Sequence, residues 1–111
     1  MTVAKAKIGM LRISPRKCRI VANEIRGKNV QAAVDFLTFC KKGAARPMMK
    51  LVKSAIANAD QKGGVDLDNL FIEELLVDQG PTMKRWMPRA RGMATPILKR
   101  TSKVSLSLEE R

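Results

Sequence analysis

A chain of 111 residues with 22 Lys and Arg against 10 Asp and Glu carries a formal charge of +12 and has a pI near 10.4, a balance that points to a polyanionic partner, either nucleic acid or an anionic membrane. The length suits one domain with a genuine core, and only 4% of the residues are aromatic, which leaves that core to Ile, Leu, Val, Met and Ala. No His occurs, so the commonest general base and metal ligand is missing; no apolar run approaches the roughly 20 residues of a membrane span, and the opening MTVAKAKIGMLRIS lacks the apolar stretch of a secretory signal.

Residues 2–13 read as a strand, because Ala4, Ala6, Ile8 and Met10 alternate with Lys5 and Lys7. Ser14-Pro15 then starts a helix, with Ser as N-cap and Pro at the first helical position. Cys18, Val21, Ala22 and Ile25 form its apolar stripe, Arg16, Lys17, Arg19, Asn23 and Arg26 occupy other faces, and Gly27 closes it. Asn29 caps a second helix with Val30, Ala33, Val34 and Leu37 inward, and Lys41-Lys42-Gly43 is a short break. A third helix runs to about Lys62, with Pro47 in its first turn and Met48, Leu51, Val52, Ala55, Ile56 and Ala59 on its stripe. That stripe reads as packed core rather than an adaptable binding face. Cys18 and Cys40 are expected to be reduced, buried, small side chains.

Residues 70–78 look like a short buried strand, and Val104, Leu106 and Leu108 alternate with Lys103, Ser105 and Ser107 in a half-buried one. The expected fold is α+β: three helices packed on a small three-stranded antiparallel sheet, with a long protruding β-hairpin. One domain spans 1–111, divided into a globular body of 1–78 and 104–111 and an extended arm of 79–103.

The arm follows from charge. Residues 1–28 hold eight basic and one acidic residue, 29–78 six and seven, and 79–111 eight and two; from Gln79 to Leu108 there is no acid. A segment so cationic cannot fold on itself, and a structureless loop of that length is improbable in a compact domain. Both flanking strands are therefore expected to run outward as a hairpin of about twelve residues per side, roughly 40 Å long, turning near Pro88-Arg89-Ala90-Arg91-Gly92. Two strands alone are marginal in water, so the arm needs an anionic surface along its length. Arg89 and Arg91 can fork onto phosphates, and Lys84, Arg85, Lys99, Arg100 and Lys103 line its base. Trp86 can stack on an unpaired base or pack across the hairpin on Ile97 or Leu98; the sequence leaves both open. Ala90 and Gly92 permit close backbone approach.

Four stretches, RISPRKCRIVANEIRGK (12–28), LVKSAIANAD (51–60), LDNLFIEELLVDQGPTMKRWMPRARGMA (67–94) and ILKRTSKV (97–104), resemble the bacterial large-subunit ribosomal protein L twenty-two family, in the family's order. The resemblance implies a structural, non-enzymatic constituent of the large ribosomal subunit in the cytoplasm. Such a protein binds and cross-links domains of 23S rRNA, aids assembly, neighbours other large-subunit proteins as a monomer, and meets the nascent polypeptide in the exit tunnel. Carried over residue by residue, Arg12, Arg16, Lys17, Arg19 and Arg26 contact rRNA from the body, and Lys84, Arg85, Trp86, Arg89, Arg91, Lys99, Arg100 and Lys103 do so from the arm. Pro88, Arg89, Ala90, Arg91, Gly92, Met93 and Ala94 form the tunnel tip. No catalytic residue, metal, cofactor or membrane is implied. Four positions depart from the family's usual pattern: Met93 stands where an Arg is usual, Lys103 for His, Pro96 for a non-proline and Cys18 for Ala. Pro96 fits a hairpin only at a bulge or with its missing donor outward.

The rival readings are an architectural DNA-binding protein with a β-arm, which would require an obligate dimer, and a metal-dependent nuclease using Asp66, Asp68, Glu73, Glu74 and Asp78. In the second case Asp66 and Asp68 sit in a Gly-rich turn and Glu73 and Glu74 point to opposite faces of a strand, which favours solvated charges over a metal centre. A membrane-surface helix would need aromatic anchors that the first helix lacks.

Overall fold

The computed structural model describes residues 2–64, 66–88, 92 and 94–111. In chain order the elements are strand β1 (Thr2–Leu11), helices α1 (Pro15–Ile25), α2 (Val30–Phe39) and α3 (Ala45–Lys62), and strands β2 (Leu70–Gln79), β3 (Met83–Pro88), β4 (Ala94–Lys99) and β5 (Ser102–Glu110). A 3-10 turn at Leu67–Asn69 leads into β2. The order and type of the elements match the sequence reading, and the fold is α+β.

The core sheet has the order β1-β5-β2, antiparallel throughout. The buried side chains of its inner face are Ala4 from β1, Val104, Leu106 and Leu108 from β5, and Leu70, Ile72, Leu75 and Val77 from β2; β5 keeps the side-chain period of two, and a register shift between Ile72 and Glu74 interrupts it on β2. The three helices cover that face with the expected stripes, Cys18, Val21, Ala22 and Ile25 on α1, Val30, Ala33 and Leu37 on α2, and Met48, Leu51, Val52, Ala55 and Ala59 on α3. Ile56 and Val34 are half-buried at the margin. None of the buried core side chains among the described residues is aromatic. Leu106 lies on the central strand between Ala6 and Leu75, where truncation to Ala costs about 2–5 kcal/mol.

Two local expectations are corrected, at Met10 and Cys40. Met10 belongs to the apolar alternation but is 54% exposed, because a register shift between Ile8 and Leu11 turns the strand's last residues off the inner face. Ser14 has the extended backbone of an N-cap, yet its hydroxyl makes no cap hydrogen bond. Cys40 is only half-buried, unlike Cys18. By contrast, Asn29 caps α2 as expected, its side chain accepting from the Gln31 amide at 2.9 Å.

Both edges of the core sheet are covered by helix side chains. On β2, Arg26 donates to the Leu75 carbonyl through Nε at 3.1 Å and through a terminal nitrogen at 2.8 Å, and Arg19 does the same to the Val77 carbonyl at 3.3 and 3.0 Å. Leu75 and Val77 are two apart, so their carbonyls face one edge; Arg19 lies on α1 and Arg26, seven residues on, is its C-cap. On β1, Asn58 of α3 donates to the Lys5 carbonyl at 2.9 Å and Lys62 donates to the Val3 carbonyl.

β3 and β4 form a separate two-stranded antiparallel sheet with continuous register from Met83–Lys99 to Pro88–Ala94. The sequence reading took β2 and β5 to run unbroken into the arm; instead the ladder is interrupted at a neck, Gly80–Thr82 on one side and Arg100–Thr101 on the other, and each arm strand has six residues. The pairing passes through Pro96, opposite Trp86, with no register shift. With this second sheet beyond the first, the long axis of the molecule reaches 65 Å against 25 and 17 Å across.

The neck is tied by buried hydroxyls. Among the described residues, Thr101 and Ser102 are the buried polar ones. Thr101 Oγ1 donates to the Pro81 carbonyl at 2.6 Å, Ser102 Oγ donates to the Ile13 carbonyl at 2.5 Å, and the Gly80 amide donates to the Thr101 carbonyl at 2.9 Å. These bonds join the start of β5 both to the arm's entry and to the segment before α1, so that arm and first helix share one anchor.

Candidate nucleic-acid interface

Above this anchor the chain leaves an open cleft of about 980 Å³ between body and arm. Three segments far apart in sequence supply its cations: Arg12 and Lys17 from the turn into α1 and its first turns, Lys42 from the α2–α3 loop, and Lys99 and Arg100 from the arm's return to the neck. All five are exposed, and none of the lining residues is acidic. Ser14 places the N-terminal end of α1 at the cleft wall, which adds the positive end of the helix dipole. The lining also includes the apolar side chains of Ile13, Ile20, Met83 and Leu98. The arrangement can hold phosphates and an apolar surface together.

The remaining residues expected to contact RNA divide by position. Arg16 is exposed on α1 outside the cleft. Arg19 and Arg26 belong to the β2 edge, and Arg26 also donates to the Asn23 side chain at 2.6 Å, so each guanidinium has a structural task before any ligand arrives. Lys84 and Arg85 are exposed on β3, with one Arg85 nitrogen donating to the neighbouring Lys84 carbonyl at 2.9 Å. Trp86 is 67% exposed, so packing across the hairpin does not cover its indole, and an aromatic face is left open. Lys103 stands on the outer sheet face, paired in register with Asp78 and beside Lys7 in a shallow depression, and is not among the residues that line the cleft. Pro88 and Ala94 face each other at the end of the β3–β4 ladder, and Gly92 has φ +73°, a backbone conformation that suits glycine. Arg89, Ala90, Arg91 and Met93 lie outside the described residues.

Lys42 and Ile20 are among the cleft residues that the sequence reading does not single out. Lys42 was read only as part of a break; a basic pair ending a helix with no acid nearby was the available signal. Ile20 was passed over because it lies off the apolar stripe of α1, and an apolar residue on the charged side of a helix is itself a signal. Asp66, one of the acids of the nuclease reading, accepts from the Asp68 amide at 3.0 Å and from the Asn69 side chain at 2.8 Å, a turn-capping role.

Beneath the cleft, burial pushes the Cys18 thiol above its ordinary range, with a hydrogen bond to Ser102 working in the other direction. The thiol therefore stays neutral at physiological pH.

Residues 6–109 match the family described as ribosomal protein L22p/L17e. The large ribosomal subunit protein uL22 of Syntrophotalea carbinolica is 53% identical over 108 residues, covering 97% of this chain and 98% of that protein. The proteins of the same name from Myxococcus xanthus and Mycoplasmopsis agalactiae are 53% and 50% identical, covering 95% and 97% of this chain and 94% and 95% of their own lengths. With nearly its whole length matched in this way, the chain belongs to the ribosomal protein L22p/L17e family.

Proposed function

We propose that this protein is a structural constituent of the large ribosomal subunit, a binder of 23S rRNA rather than a catalyst. Its body and arm grip different RNA segments and hold them together as the subunit assembles, and residues 88–94 at the arm's end line the polypeptide exit tunnel beside the nascent chain. The observation that carries this reading is the convergence of Arg12, Lys17, Lys42, Lys99 and Arg100 on one cleft without an acid among its lining residues. Like charges brought together from three segments repel one another unless a polyanion compensates them. Family membership and near full-length identity to uL22 proteins support the ribosomal setting.

Binding of this kind releases counterions, so affinity falls steeply with salt, by a log–log slope of about −0.7 to −0.9 per phosphate contact. Recognition rests on RNA shape and on unpaired segments, since side chains cannot read the deep, narrow major groove of A-form RNA. The test is sedimentation of large subunits through a salt-containing cushion. The protein is expected to stay with the subunits through a moderate wash and to leave at high salt with its RNA contacts. Recovery wholly in the low-salt supernatant would overturn the reading.

A further inference from the structure

Ile20 and Leu98 are 47% and 45% exposed, and they come from helix α1 and from β4 of the two-stranded sheet. Both line the same cationic cleft. An RNA duplex shows its partner phosphates and sugars, and gains nothing from an aliphatic lining. A base turned out of a helix has two apolar faces and a phosphate on either side. The cleft volume stands at the upper end of the roughly 300–1,000 Å³ of sites that enclose a small ligand, which leaves room for a nucleotide between body and arm.

We propose that the neck cleft receives an unpaired segment of RNA, with one base turned in against Ile20, Leu98 and Met83 and the flanking phosphates held by the rim cations Lys17 and Arg100. This rests on the RNA-binding reading above and sharpens it. The arm contacts backbone along its length, whereas the neck takes a single-stranded bulge or loop. Because Thr101 and Ser102 tie the arm to the segment before α1, a nucleotide seated here bears on both walls at once and fixes the direction in which the arm leaves the body.

The full-length protein is titrated with two labelled probes over a range of KCl concentrations: a short unstructured polyuridine RNA and a blunt RNA duplex of equal length. Ile20→Ser with Leu98→Ser leaves the core untouched, since both side chains are half in solvent. The double variant is expected to bind the single strand about tenfold more weakly, the loss of two partly buried apolar contacts, with an unchanged salt slope and unchanged duplex affinity. Lys17→Ala with Arg100→Ala is expected to lower the single-strand salt slope by about 1.4, two phosphates at roughly 0.7 each. Equal losses on both probes, or no loss on the single strand, would overturn the cleft assignment while leaving general RNA binding in place. Failure of the unaltered protein to bind either probe would overturn both.

Discussion

Gly80 and Thr101 meet across the neck so closely that a Cβ on Gly80 would stand 2.5 Å from Thr101 Oγ1 and 3.4 Å from the Thr101 carbonyl carbon. The hydroxyl cannot swing aside without giving up its bond to the Pro81 carbonyl. Gly80→Ala is therefore expected to lower stability by about 1–3 kcal/mol. Thr101→Ala relieves the clash, so the double variant should be less destabilised than the sum of the singles, with a coupling of about 0.5–3 kcal/mol. Urea titrations of the four proteins measure it; strict additivity would mean the neck opens freely.

Arg26→Ala is expected to cost about 1–2 kcal/mol, because it strips a charged donor from the Leu75 carbonyl on a partly solvated edge. Arg16→Ala, exposed on the same helix, should stay within about 0.5 kcal/mol. Denaturant midpoints distinguish the two, and equal midpoints would show that the edge carbonyl is as well served by water.

Replacing residues 84–97 by a short glycine turn should leave a body that melts cooperatively near the original temperature. No buried core side chain among the described residues falls between Gly80 and Arg100, so nothing is removed from the apolar interior. Circular dichroism against temperature checks this, and a lost transition would assign the arm a folding role.

At neutral pH in the folded protein, Cys40 should react with a thiol reagent well before Cys18, since only Cys18 is fully buried. The Cys18 thiol is raised above its ordinary value of 9.0 by burial. Above that pH the unfolded chain loses the proton first, so stability falls as pH rises through the alkaline range. Cys18→Ala should remove that fall, giving a wild-type-minus-variant difference that shrinks above pH 9.0. A difference flat with pH would show the thiol to be ionised as easily folded as unfolded.

The body was legible because its signals are local. The stripes of α1 and α3 and the alternation around Leu106 follow directly from periods of 3.6 and two, and every stripe residue of α1 is buried. What was not legible depends on partners distant in sequence. The tasks of Arg19 and Arg26 are set by carbonyls 58 and 49 residues away, and nothing near an arginine reveals whether phosphate or an edge carbonyl awaits it. Met10 was misplaced by a bulge, which breaks alternation without a necessary residue signature. The neck escapes a sequence reading that runs both strands straight into the arm, because what breaks the ladder is the approach of Gly80 to Thr101, 21 residues away in sequence. The cleft is the sum of these: its cations were named singly, Lys42 excepted, but their convergence belongs to tertiary structure.

Every outward-facing strand is an invitation to another strand, and here α1 and α3 each answer it with side chains, Arg19 and Arg26 on one flank, Asn58 and Lys62 on the other. A copy synthesised ahead of its RNA thus has no ready template along its body for stacking with its twins into fibrils, and excess chains should remain dispersed and available.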